Sequence, residues 1–224
     1  IVEKLERLLK PHQLLTGEGL SDRTYHIWKM DESLDAVALV LPESTEDVST
    51  ILKICWELNQ EVVVHGGLTN LVGSTEVAPH QLVMAMDRMN ALEEIDPQSR
   101  TITAQSGAIV EHLINAADEY DLLLPLNVGA KGSAQIGVAI ATNAGGLRVF
   151  RYGMTRHMVL GLEAVLPDGR VVSSLKKILK DNSVHYDEIG LVTEKDVIID
   201  KEPIIHIDDL IKSNKYWLED YMDK

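Results

Sequence analysis

A glycine-rich stretch follows an apolar run in the first third of the chain. The letters VVVHGGLTNLVGS cover residues 62–74, where a β-branched strand leads into Gly66 and Gly67. Glycines at a strand exit permit positive φ and leave successive N–H groups free to converge on an anion, and the hydroxyls of Thr69 and Ser74 add donors. This pattern predicts a diphosphate cradle. The alternative is a tight surface loop in which the glycines serve only for turning.

A second stretch is even richer in small residues. Residues 127–146 read NVGAKGSAQIGVAIATNAGG and contain five glycines. Backbone without bulky side chains can lie flat against a broad planar group and offer amides to its edge, which suits a heteroaromatic cofactor. Close packing between helices or strands is the alternative, because small residues serve it equally well.

Other kinds of catalytic site have little support in the sequence. The first stretch has neither the Gly-Lys-Ser/Thr of the phosphate-binding P-loop nor the glycine spacing of the dinucleotide fingerprint. The eight histidines include no helical pair accompanied by a carboxylate, so no metal site is predicted. No Gly-x-Ser-x-Gly elbow is present to expose a nucleophilic serine.

The elements that must position these stretches alternate between short apolar strands and amphipathic helices, which predicts a mixed α/β fold. Ser44 and Asp47 have the spacing of a helix capping box, and the apolar residues after them recur with helical period, so Cys55 is expected in the core. A second helix is predicted near Val110–Tyr120. The predicted strands are Asp35–Leu41, Glu61–Val64, Leu82–Met86, Thr101–Gln105 and Val159–Leu166, the last turned back at Asp168-Gly169.

The composition of the 224 residues indicates a globular protein and narrows its partners. A net charge of −14 leaves no basic stripe for nucleic acid, which is therefore not an expected partner. No apolar run is long enough to span a bilayer, and Ile1–Lys10 has the pattern of an amphipathic helix instead of a signal peptide. The single cysteine agrees with a reducing compartment. We expect a cytosolic or organellar-matrix protein and assign it to the cytoplasm.

The two stretches and their surroundings resemble a known family. The segments GAKGS, ATNAGGLR, RYG and VLGLEAVLPDG are similar to the FAD-binding (PCMH-type) domain of the vanillyl-alcohol-oxidase type flavoenzymes. Within that family the D-2-hydroxyacid dehydrogenases, and among them the D-2-hydroxyglutarate dehydrogenases, are most similar. The resemblance is continuous from about Val37 to Asn182. It implies two small α/β subdomains with the cofactor between them.

The resemblance also implies a cofactor and its contacts. In that family the first stretch binds the FAD diphosphate, and the second lies along the flavin and its ribityl chain. The FAD is expected to be noncovalent, because Thr69 stands where members with covalent flavin often carry histidine. For His65 a structural role is an equal alternative. The implied cofactor-binding residues are His65, Gly66, Gly67, Leu68, Thr69, Asn70, Gly73, Ser74, Gly129, Ala130, Gly132, Ser133, Gly137, Thr142, Asn143, Ala144 and Gly145.

The chain departs from the family at several points. Val138-Ala139 stand where Gly-Asn is common, and Leu68 where Gly or Asn is usual. These changes keep the backbone donors but would loosen or reshape the pocket. After Asn182 we find neither the family's glycine-rich strand for the adenine end of FAD nor its substrate-binding cap domain.

We therefore predict an FAD-binding domain over residues 1–182 and a C-terminal tail over residues 183–224. Val197–Ile199 and Ile204–Ile207 are predicted strands of the tail, and Asp208–Tyr221 is a predicted helix. The tail either replaces the missing strand, docks on a partner or is an unrelated sequence.

The function implied by the resemblance is the FAD-binding part of a dehydrogenase, which oxidises a small D-2-hydroxy acid to the 2-oxo acid by hydride transfer to flavin. A separate cap domain or partner subunit would supply the base and hold the carboxylate. Arg148 or Tyr152 would face the substrate, or Arg148 would serve as a structural clamp, and no catalytic residue is assigned. The alternatives are a noncatalytic flavin-binding module and a degenerate or fused chain that has lost its ligand.

Overall fold

The computed structural model describes residues 1–20, 22–25, 31–174, 190–192, 196–199 and 205–206. The chain divides into two compact units, Ile1–Leu175 and Lys176–Lys224. Each unit is described by itself below. The domain boundary expected after residue 182 stays a prediction.

A four-stranded sheet forms the base of the first unit. Its strands are β1 (Leu14–Leu15), β2 (Ala38–Val40), β3 (Val62–His65) and β4 (Leu82–Ala85), in the order β1-β2-β4-β3. Strands β2, β4 and β3 run parallel, and β1 pairs antiparallel with β2. Every residue of β2 and β4 is buried, which is why both read as unbroken apolar runs. The predicted strands are therefore present, although Asp35–Leu41 is longer than the observed β2.

Helix α2 (Thr45–Glu57) covers one face of this sheet; the short α1 (Val2–Glu6) precedes it in the chain. The Ser44 hydroxyl accepts a hydrogen bond from the Asp47 N–H at 3.1 Å, so the predicted cap is confirmed. The helix places Ile51 and Cys55 in a core that also contains Met84. Burial raises the pKa of the Cys55 thiol to about 11, in keeping with its expected core position.

The rest of the first unit is built from two hairpins and three helices. Its elements are β5 (Leu92–Asp96), β6 (Thr101–Ala104), α3 (Val110–Asp118), α4 (Ile136–Ala141), α5 (Val149–Tyr152), β7 (Glu163–Val165) and β8 (Val171–Ser173). Strand β5 was not predicted, because its acidic, largely exposed residues give no apolar alternation. The turn at Asp168-Gly169 is confirmed: β7 pairs antiparallel with β8, and Gly169 has φ of 86°.

Three short antiparallel strands are described in the second unit. They are β9 (Gly190–Val192), β10 (Asp196–Ile199) and β11 (Ile205–His206), with β10 in the middle. The two strands predicted here correspond to β10 and β11, whereas β9 was not predicted. The helix predicted over Asp208–Tyr221 lies outside the described residues.

Replacing Ser44 by alanine removes the cap of α2 while leaving its buried face intact. We expect the free energy of unfolding to fall by about 1 kcal/mol, as measured by urea denaturation. Ser44→Thr keeps a hydroxyl acceptor and should retain most of that stability. An equal loss in both variants would contradict the capping role.

Candidate cofactor site

The two glycine stretches are far apart in sequence but meet at the carboxyl end of β3. Gly66 and Gly67 follow that strand directly. A Cβ atom on Gly66 would overlap Val138 Cγ2, and one on Gly67 would overlap the carbonyl oxygen of Ser133. These glycines are therefore needed for backbone contact between the two stretches. Neither has positive φ; in this loop the left-handed positions are Leu68, with φ of 56°, and Gly73, with φ of 70°.

The loop after Gly66 keeps a row of backbone donors free. Within the described part of the chain, the N–H groups of residues 67–71 donate no hydrogen bond. Asn70 organises the loop instead, because its Oδ1 accepts from the N–H of Val72 and of Ser74 at 3.2 and 3.3 Å. Its amide also donates to Thr75 Oγ1. The Asn70 side chain is thus occupied by its own loop. Successive free N–H groups can bind an anion where they converge on it.

The second stretch begins with a turn that leaves similar donors free. Among the described residues, the N–H groups of Gly129, Ala130 and Gly132 have no acceptor, whereas those of Ser133 and Ala134 bond to the carbonyl of Ala130. A Cβ on Gly129 would meet nothing within 4 Å. Gly129 thus borders open space, unlike Gly67.

The end of the second stretch is held by hydrogen bonds within itself and to residues 155 and 156. Thr142 donates its hydroxyl to the carbonyl of Val138, and Asn143, with φ of 49°, accepts the N–H of Arg156 on its Oδ1 at 3.0 Å. The Thr155 hydroxyl donates to the carbonyl of Ala144. Gly145 borders the side chains of Val149 and Met154. Close packing therefore accounts for several small residues here, as one of the two alternatives expected.

The interior glycines of the stretch are likewise packing positions. Gly137, in the first turn of α4, lies against the backbone and Cβ of Ser106, and Gly146 lies against the backbone of Asn127. The small residues of this stretch thus divide into contact positions and positions that face open space.

His65 is fully buried at the end of β3. Its Nε2 lies 2.8 Å from the carbonyl oxygen of Thr75, which can only accept, so Nε2 carries the proton. Burial lowers the pKa of the imidazole to about 4, with a smaller contribution from Arg23. The side chain is therefore neutral and directed into its own loop, which favours the structural alternative over a cationic contact with a diphosphate.

Sequence reasoning missed three residues that meet at this junction. Asp87 accepts hydrogen bonds from Arg23 Nη1 at 2.7 Å and from Gln135 Nε2 at 3.1 Å. Arg23 Nη2 also lies 3.4 Å from the carbonyl oxygen of Gly66. No sequence signal joins the three, because they are separated by 64 and 48 positions.

The arginines after the second stretch lie on an open groove of about 410 Å³. Arg148 and Arg151 line it together with Tyr152 and the exposed Phe150. The Arg151 guanidinium carbon is 5.3 Å from the centre of the Tyr152 ring. Neither arginine pairs with a carboxylate of the described residues, and both roles expected for Arg148 stay predictions.

The family of this chain follows from comparison with known proteins. The profile of a family described as FAD binding domain matches residues 36–174, which include both stretches and the junction at Asp87. The chain belongs to this family of FAD-binding domains. FAD is thus its cofactor, and the free N–H groups on both stretches fit the phosphates and the polar edges of such a molecule.

Relatives and solved structures agree with this family. The chain is 36% identical over 207 residues to the mitochondrial D-2-hydroxyglutarate dehydrogenase of Danio rerio, covering 88% of the chain and 39% of that protein. It is 40% identical over 173 residues to a putative mitochondrial D-lactate dehydrogenase of Schizosaccharomyces pombe, covering 72% of the chain and 32% of that protein. The chain thus spans about a third of the length of these relatives.

A crystal structure of alkyldihydroxyacetonephosphate synthase matches the fold with a TM-score of 0.69 and 21% identity, covering 82% of this chain and 39% of the other. The expected PCMH-type α/β fold is confirmed.

The expected cytoplasmic location is wrong, because these curated relatives are named as mitochondrial. Charge and apolar content did not reveal this, since the cytosol and an organelle matrix make the same demands on a protein surface. In the described ranges, no helix has the length and apolar character to cross a membrane. Over the same ranges, no group of three or more His, Cys, Asp or Glu side chains is arranged to hold a metal ion.

The buried, neutral His65 predicts that stability depends on pH. The pKa is about 4 in the folded chain and 6.5 as the ordinary value, so the unfolded chain binds more protons between these limits. Stability is complete above pH 6.5 and falls by roughly 3 kcal/mol as the pH decreases to 4. His65→Gln keeps a donor for Thr75 and cannot titrate, so urea denaturation across this range should show a flatter slope. The exposed His112→Gln is the control, and a slope unchanged in His65→Gln would contradict the prediction.

Gly67 and Gly129 should respond differently to an added methyl group. Gly67→Ala forces a Cβ into the Ser133 carbonyl, and we expect the FAD-free protein to lose about 2 kcal/mol of unfolding free energy or more. Gly129→Ala adds a Cβ in open space and should change stability by less than about 0.5 kcal/mol. Urea denaturation of both variants without FAD checks this. Equal stability of the two variants would argue against the close contact at Gly67.

Proposed function

We propose that the two glycine stretches hold FAD noncovalently, and that the chain is the FAD-binding part of a dehydrogenase acting on a D-2-hydroxy acid. The observation that carries this is the pair of loops with free N–H groups, at residues 67–71 and at Gly129, Ala130 and Gly132, on two stretches whose backbones are in contact. A diphosphate requires several donors without a competing acceptor, and these loops supply them.

The site residues divide by the donors they offer. The free N–H groups from Gly67 to Leu71 and the hydroxyls of Thr69 and Ser74 would bind the diphosphate. Gly129, Ala130 and Gly132 would offer N–H groups to the flavin end, and Gly129 also leaves an unobstructed surface there. The remaining implied residues support this arrangement through packing and internal bonds, as His65, Gly66, Asn70, Gly137, Thr142, Asn143 and Ala144 do.

The cofactor would supply the redox chemistry of the proposed reaction, and the protein would bind and orient it. Held by the free N–H groups of the two stretches, FAD would supply a hydride acceptor for the oxidation of a hydroxy acid to the 2-oxo acid, and a base would receive the hydroxyl proton. The relatives are named for D-2-hydroxyglutarate and D-lactate, which supports a small D-2-hydroxy acid as the substrate. Because the chain spans about a third of those relatives, we propose that a cap domain or partner subunit supplies the base and the cations for the carboxylate. The mitochondrial relatives support a mitochondrial location.

Cofactor binding is tested with a variant that leaves the fold intact. Gly129→Leu adds a side chain where the structure has open space, and should weaken FAD binding at least about tenfold with an unchanged unfolding midpoint. Gly19→Leu, at another exposed glycine away from the site, is the matched control and should bind FAD like the native chain. Flavin fluorescence titration gives the dissociation constants. A native chain that binds no FAD would overturn the proposal.

Activity is tested without oxygen by adding D-2-hydroxyglutarate or D-lactate to the FAD-loaded chain supplied with the cap domain or partner subunit. Loss of the visible flavin absorbance with a D acid and not with its L enantiomer supports the dehydrogenase. Retention of the absorbance with both acids would overturn catalysis by this chain and favour a noncatalytic flavin-binding module.

A further inference from the structure

Asp87 lies just beyond the carboxyl end of β4, where it accepts from two donors at once. Oδ2 accepts from Arg23 Nη1 at 2.7 Å, and Oδ1 accepts from Gln135 Nε2 at 3.1 Å. Each carboxylate oxygen thus has its own partner. The Arg23 side chain is 19% exposed and Gln135 is 2% exposed, so both donors are largely withdrawn from water.

The two donors connect Asp87 to different glycine stretches. Arg23 extends its second terminal nitrogen to the carbonyl oxygen of Gly66, at 3.4 Å, in the first stretch. Gln135 belongs to the second stretch: it is the N-cap residue of α4 and comes directly after the Ser133 and Ala134 backbone that Gly67 touches. The Asp87 carboxylate therefore accepts from one side chain that contacts the first stretch, Arg23, and from one that belongs to the second stretch, Gln135.

A carboxylate suits this position because both neighbours donate. A charged acceptor makes shorter and stronger hydrogen bonds than a neutral one, and it needs no rotation to satisfy two donors. Replacing it with an apolar side chain would leave the Gln135 amide nitrogen buried without an acceptor and the Arg23 charge without its counterion. The two stretches would then lose their polar connection and keep only the glycine contact.

We propose that Asp87 is a positioning residue that holds the two stretches at the separation FAD requires, through Arg23 on one side and Gln135 on the other. This inference rests on the proposed function. Asp87 itself makes no contact with the cofactor in this proposal. It acts through the spacing of the free N–H groups of residues 67–71 and of Gly129, Ala130 and Gly132.

The hydrogen bond between Asp87 and Gln135 permits a test in which the acceptor and the donor exchange places. Gln135→Glu places a second carboxylate against Asp87, and no rotation of either group can relieve the repulsion. Adding Asp87→Asn to that variant restores a consistent pattern, because the introduced asparagine can accept from Arg23 on its oxygen while its amide donates to the introduced glutamate.

We expect Gln135→Glu and Asp87→Ala each to weaken FAD binding about tenfold or more, by flavin fluorescence titration, and the double variant to bind within about threefold of the native chain. Asp168→Asn is the matched control, since it alters an Arg–Asp pair in the β7–β8 turn, and it should leave affinity unchanged. Unfolding midpoints of the FAD-free variants separate affinity from folding. If Asp87→Ala does not fold, Arg23→Lys, which keeps the charge but loses the fork, should still weaken binding.

The outcomes separate this inference from the proposed function. A native chain that binds FAD, with Asp87→Ala binding equally well or the double variant no better than Gln135→Glu, would overturn the positioning role and leave the function standing. Failure of the native chain to bind FAD would overturn the function itself. Recovery of affinity in the double variant supports the inference, because a merely structural role would change the unfolding midpoint and leave the affinity of the folded variants unchanged.

Discussion

The close approach of two backbone segments is the constraint on which the site depends. Gly67 lies against the Ser133 carbonyl, and Gly66 against the Val138 side chain, with no space for a Cβ at either glycine. Because both stretches must pass within van der Waals contact, their free N–H groups end on neighbouring loops. The parallel sheet makes this possible, since β3 and β4 both end at the edge where the second stretch arrives.

Local donors, and not overall charge, make an anion site possible in this chain. A net charge of −14 opposes any polyanion, yet a loop such as residues 67–71 offers several N–H dipoles within a short span. His65 likewise contributes no positive charge. Its burial disfavours the imidazolium by more than the hydrogen bond to Thr75 favours it, so the side chain stays neutral. The Arg23 guanidinium lies 3.4 Å from the Gly66 carbonyl oxygen, but its charge is paired with Asp87.

Most elements of the first unit were predictable because their signals are local. The Ser44 cap, the apolar period of α2, the unbroken β4 and the Asp168-Gly169 turn each arise from residues a few positions apart. Strand β5 was missed because its residues are acidic and exposed, so its pairing with β6 decides its conformation. The family resemblance located both glycine stretches, and residues 36–174 match its profile.

The sequence by itself determined the order of the elements, the two glycine stretches and the kind of cofactor they suit, because these depend on local pattern. Only the tertiary structure decided what each residue does. It showed that Gly67 is a contact position and Gly129 an open one, although both are glycines in glycine-rich stretches. It also brought Arg23, Asp87 and Gln135 together. The physical reason is that hydrogen bonds and close contacts depend on distances in space, which the fold sets between residues far apart in the chain.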